Sequence, residues 1–96
     1  MSQNEISDEF WQRADEYIEL ANNQSKSESK GKVGASLLYA SARFSAFDVA
    51  SSSTSAEEMK ADKDEAISFY VEQFRKMITD NMDEYIENFK GYKPHG

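Results

Sequence analysis

The stretch VGASLLYASARFSAFDVA, residues 33–50, decides how the chain is read. It contains no Pro, and only Arg43 and Asp48 carry charge. At helical period Val33, Leu37, Ala40, Phe44 and Phe47 recur at steps of four and three and form one apolar stripe. Leu38, Ala42, Ser45 and Val49 form a second stripe, roughly opposite the first at about 100° per residue. Tyr39 and Arg43 lie on one edge between the stripes, and Ser41 and Asp48 on the other. A helix apolar on two sides is normally buried on two sides. Gly34, Ala35, Ala42, Ser45 and Ala46 are small enough to let neighbouring helices approach closely. The expectation is a middle helix, sandwiched between other helices of the chain or between this chain and a second copy.

Outward from this stretch, the flanks are acidic. The net charge is −7 over 96 residues. By segment, residues 1–30 carry −4, residues 31–55 carry +1 and residues 56–96 carry −4. Such a distribution suits solvated outer helices around a low-charge middle one. It argues against a nucleic-acid partner or an anionic membrane surface. A chain of this length forms one domain and buries only roughly 60–65 % of its unfolded surface, so oligomerisation would help it. Six Phe, five Tyr and one Trp supply large side chains for a small core. The absence of Cys excludes disulfides and thiolate chemistry and fits a reducing, cytoplasmic setting. The N-terminus has neither the basic nor the apolar region of a signal peptide. Ser residues, Arg43 and Asp48 make residues 33–50 a buried helix of a water-soluble protein rather than a membrane span.

The remaining elements follow in chain order. Residues 1–6 and 92–96 read as flexible tails. Ser7 is a helix N-cap with Asp8 and Glu9 in the first turn. Phe10, Trp11, Ala14, Tyr17, Ile18 and Ala21 then mark one face of a helix over 8–23. Residues 25–30 are low in apolar side chains and read as a mobile linker. The central helix is expected over 31–51. Residues 51–55, SSSTS, end it, because short hydroxyl side chains compete for the backbone. Ser55 with Glu58 makes a capping box, and Thr54 with Glu57 offers a second register.

A third helix is expected over 56–90. Its stripe begins at Ile67 and continues through Tyr70, Val71, Phe74, Met77 and Ile78. It resumes with Met82, Tyr85, Ile86 and Phe89. Unbroken, that helix would be about 50 Å long. A kink or short break near 79–81, Thr-Asp-Asn, is therefore favoured, since Asn81 with Glu84 resembles a further cap and would begin a fourth helix. The fold class is all-α: a small bundle of three principal helices, the second central.

The segments SLLYASARFSAF (36–47), SAEEMKADKDEAISFYVEQFRKM (55–77) and DEYIENF (83–89) resemble a small proteobacterial family of uncharacterised proteins, domain of unknown function family 3144. The resemblance runs from about Phe10 to Tyr92. It implies a compact, soluble bacterial protein and brings no activity, cofactor or site residue.

Chemistry is thinly represented. The sole His, His95, stands in the tail, so the Glu-x-x-His pairs of a di-metal bundle are missing. No internal base is spaced to activate a serine, and four scattered Gly cannot build a phosphate loop. The expectation is no enzyme activity, no catalytic residue, no metal and no cofactor. Three features remain as candidate sites. Arg43, one turn from Tyr39, could hold a carboxylate ligand or pair with an acid such as Glu72 or Glu16. Phe69 lies opposite the stripe of the third helix and could anchor a partner. Leu38 and Val49, on the second stripe of the central helix, are core if covered and a self-association surface if not. The leading function is a protein–protein interaction module, with a homodimer as one form. The alternative is a binder of a small apolar ligand, with Trp11, Tyr39, Phe44 and Phe74 lining a pocket and Arg43 at its mouth.

Overall fold

A computed structural model of the chain describes residues 7–92. Of the expected tails at 1–6 and 92–96, residues 1–6 and 93–96, with His95, lie outside the described residues, and Tyr92 ends the last helix. The fold is all-α. Three principal helices, α1 (Asp8–Gln24), α2 (Lys30–Ser52) and α3 (Ala56–Glu87), are followed by a short α4 (Phe89–Tyr92), and no strand occurs among the described residues. The chain divides into two compact units, Met1–Phe44 and Ser45–Gly96, so the boundary falls inside α2.

In the first unit α1 begins as its sequence dictates. Ser7 has extended backbone and its hydroxyl accepts from the Phe10 amide at 3.2 Å, with Asp8 and Glu9 in the first turn. Phe10 and Trp11 stack edge to face, centroids 5.0 Å apart. Residues 25–29, expected as a mobile linker, form a hydrogen-bonded turn instead. The Ser25 amide and hydroxyl both donate to the Ala21 carbonyl, and the Glu28 amide donates to that of Gln24. Ser29 then caps α2, its hydroxyl accepting from the Lys32 amide at 3.2 Å, and Glu28 pairs with Lys32 at 3.3 Å. The low apolar content that suggested mobility supplies the hydroxyls that satisfy these helix ends.

α2 is helical throughout residues 33–50, as the two stripes require. The two-sided burial expected of it does not appear in the single chain. Among the described residues Val33 is the one buried hydrophobic side chain, at 7 % exposure, whereas Phe44 is 70 % exposed and Leu38 and Phe47 are exposed too. Nor does Gly34 serve a close approach here. A Cβ at Gly34 would meet nothing within 4 Å.

In the second unit the Ser-rich end of α2 folds its hydroxyls back on the last turn. Ser51 donates to Phe47 O at 2.9 Å and Ser53 to Val49 O at 2.8 Å, which satisfies carbonyls the helix leaves open. Ser55 is the N-cap of α3 and accepts from the Glu58 amide at 3.0 Å. Glu58 reaches back one residue further than an ordinary capping box. Its two carboxylate oxygens accept from the amide and the hydroxyl of Thr54, each at 3.0 Å. The alternative register through Glu57 is not used.

The break expected near 79–81 is absent, and α3 runs on to Glu87. The polar side chains that suggested a stop bond along the helix instead. Thr79 Oγ1 donates to Arg75 O at 2.6 Å and Asn81 Nδ2 to Met77 O at 2.7 Å, so neither competes for an amide ahead of it. The break comes at Asn88, whose amide and side-chain Nδ2 both donate to Glu84 O. Gly91 lies within α4, its amide donating to Asn88 O at 2.9 Å.

Candidate interaction surface

The surface to consider is the apolar stripe of α3. Ile67, Val71, Phe74, Ile78, Met82 and Tyr85 fall within an arc of about 80° at 100° per residue, and Phe89 follows beyond the break at Asn88. The steps mix four and three, so the stripe follows the helix with little drift. Met77 and Ile86 flank it. These side chains are 42 to 67 % exposed. Burying such a stripe is what usually stabilises an amphipathic helix, so its exposure over six positions of α3 is not explained by helix propensity alone. Scattered single apolar residues are ordinary on a surface; a contiguous run is not.

Phe69, expected as an anchor, lies on the other side of α3 and is 58 % exposed, with its ring edge to face against Tyr70, centroids 5.4 Å apart. Leu38 is exposed and Val49 half-buried. Tyr39 and Arg43 are both exposed. Glu72, named with Glu16 as a partner for Arg43, pairs with Arg75 three residues along α3 at 3.1 Å. A local partner at helical spacing costs less ordering than one on another element.

One contact was not anticipated. Tyr70 Oη donates to Asp48 Oδ2 at 3.3 Å, joining the end of α2 to α3 within the second unit. Tyr70 is half-buried, and its pKa is raised above the usual tyrosine value by desolvation first, then by the charge of Asp48 and the hydrogen bond to it. A signal for this existed: an acid in a low-charge stretch needs a donor, and Tyr70 interrupts the aliphatic side of the stripe with one.

Two hollows accompany these elements. One of about 540 Å³ is lined by Ile86 to Gly91 at the α3–α4 junction, and one of about 260 Å³ lies at the first turn beside Gln24 and Val33. Neither is lined by Trp11, Tyr39, Phe44 or Phe74. No group of three His, Cys, Asp or Glu able to hold a metal ion occurs among the described residues. No helix among them is long and apolar enough to cross a membrane.

A family model described as protein of unknown function, DUF3144, matches residues 10–86. The chain belongs to the DUF3144 family. The expected resemblance is thereby established over most of the chain. The solved NMR structure of the protein NB7890A from Shewanella sp. is 35 % identical, with 95 % of this chain and 97 % of that one covered and a TM-score of 0.76. The all-helical fold is thus shared with a solved protein of similar length. No curated protein matches the chain.

Proposed function

We propose that this DUF3144 protein is a non-enzymatic, cytoplasmic interaction module that binds another polypeptide along the apolar stripe of α3. The observation that supports it is the exposed run from Ile67 to Tyr85. Helix-in-groove and helix-on-helix recognition both use such runs, with anchors recurring at three and four residues. The acidic remainder of α3 keeps the free surface soluble and disfavours nucleic acid. The ligand-binding alternative finds no support in the hollows, since the aromatics that would line its pocket line neither of them.

A photo-crosslinking residue placed at Ile78 tests this in cells. A covalent adduct with a polypeptide is expected, and the adduct should be lost when Phe74→Glu is added. No adduct at any expression level would refute the module.

A further inference from the structure

Resting on that reading, we infer that Met77 and Met82 form a reversible oxidation site on α3, where a hydroperoxide converts their thioethers to sulfoxides and so releases the bound polypeptide.

Access to sulfur is the first support. The chain has no Cys, so its sulfur chemistry rests on four Met. Met1 lies outside the described residues. Met59, in the first turn of α3, is half-buried. Met77 and Met82 are 49 % and 56 % exposed. Oxidation is a direct attack by sulfur on peroxide, so access decides which Met reacts first.

Position is the second support. Met82 belongs to the stripe, one helical turn beyond Ile78, and Met77 flanks it, three residues beyond Phe74. A polypeptide laid along the stripe at Ile78 therefore covers Met82 and borders Met77. As thioethers both offer a polarisable apolar surface that adapts to what packs on it. As sulfoxides they carry a hydrogen-bond acceptor, and covering it with apolar side chains leaves it unpaired. The step balances without a metal. A sulfur lone pair takes the terminal oxygen of the hydroperoxide, the O–O bond breaks, and the proton passes to the departing alkoxide. Sulfur is oxidised by two electrons and the peroxide is reduced by two. A thiol-dependent methionine sulfoxide reductase reverses it, two thiols becoming a disulfide while the oxygen leaves as water.

Hydrogen peroxide added to the full chain, followed by peptide mass mapping, tests the site. Met77 and Met82 should each gain one oxygen before Met59 does, and the reductase with thiol should remove both. Far-ultraviolet circular dichroism of the oxidised chain should show its helices kept. The consequence is read with the photo-crosslinking residue at Ile78. Brief peroxide treatment of the cells should cut the adduct at least ~10-fold, the loss expected for leaving buried acceptors unpaired. A chain with Met77→Leu and Met82→Leu, which conserve volume and cannot be oxidised, should keep its adduct through the same treatment. Oxidation of Met59 ahead of both overturns the site, and loss of helix on oxidation overturns release at an intact surface. An adduct that survives peroxide, or that the Leu chain loses equally, overturns the switch and leaves the interaction module standing. If no adduct forms even before peroxide, both fail.

Discussion

Gly34→Ala should stabilise the protein. Gly34 is the fifth residue of α2, and its backbone is not in the left-handed region that glycine alone tolerates. A Cβ there would meet no atom within 4 Å, so the substitution adds no contact that must be relieved. What remains is the helix-interior term. Glycine gives up more backbone freedom on folding than alanine, and the exchange is worth ~0.8–1.0 kcal/mol. For a domain of this length that is a rise in Tm of about 4–8 °C per kcal/mol. The measurement is urea unfolding followed by circular dichroism, with wild type and variant at one fixed chain concentration, because association would shift both midpoints. The midpoint should rise with the slope unchanged. An unchanged or lowered midpoint would refute the reasoning, for it would mean that another helix packs against Gly34 in solution. The run of small residues from Gly34 to Ala46 would then be a close-approach surface after all, used between chains.

Three further outcomes follow from the contacts of the second unit and from Arg43. Ser55→Ala removes the acceptor for the Glu58 amide and should cost ~1 kcal/mol in the same unfolding assay, a loss that Ser55→Asp should largely avoid. Tyr70→Phe should cost no more than ~1 kcal/mol, because the bond to Asp48 is long at 3.3 Å and only partly sheltered. Burial, then the Asp48 charge and hydrogen bond, hold the Tyr70 phenol protonated past its ordinary range. Its contribution is therefore intact below pH about 10 and is lost as pH climbs through the raised pKa, so ultraviolet titration should show a late-ionising phenol that Tyr70→Phe abolishes. Arg43→Met should change stability by less than ~0.5 kcal/mol, since Arg43 is exposed and Glu72 is held by Arg75; a larger loss in thermal unfolding would reveal an ion pair at Arg43 in solution.

The helices were legible in the sequence because each announces itself locally. Ser7 and Ser55 stand three residues before the amides they accept from, and the stripes of α1 and α3 have the period of the structure that carries them. Competition between polar side chains and backbone was legible in kind but not in sense. Thr79 and Asn81 could stop a helix by bonding forward or extend it by bonding back four residues, and the three letters at 79–81 are the same in both cases. The same ambiguity hid the turn at 25–29, where serines that suggested a loose linker close the end of α1 and open α2.

Cover was not legible at all, and the reason is physical. Period is a property of one helix, fixed by the spacing of its own residues. Burial is a property of a pair, and an apolar stripe reads identically whether its cover comes from the same chain or another. Residues 33–50 show this directly. Their two stripes correctly imply a helix, yet Phe44 stays exposed where a middle helix should hide it. Large aromatics left outward on α2 and α3 of one chain would lose a favourable burial of order 1.5–3 kcal/mol each. A chain of this length has little core to set against that loss. The energetics therefore favour a cover over these aromatics, and the two periods that fix the helix are satisfied equally by any apolar face of matching length.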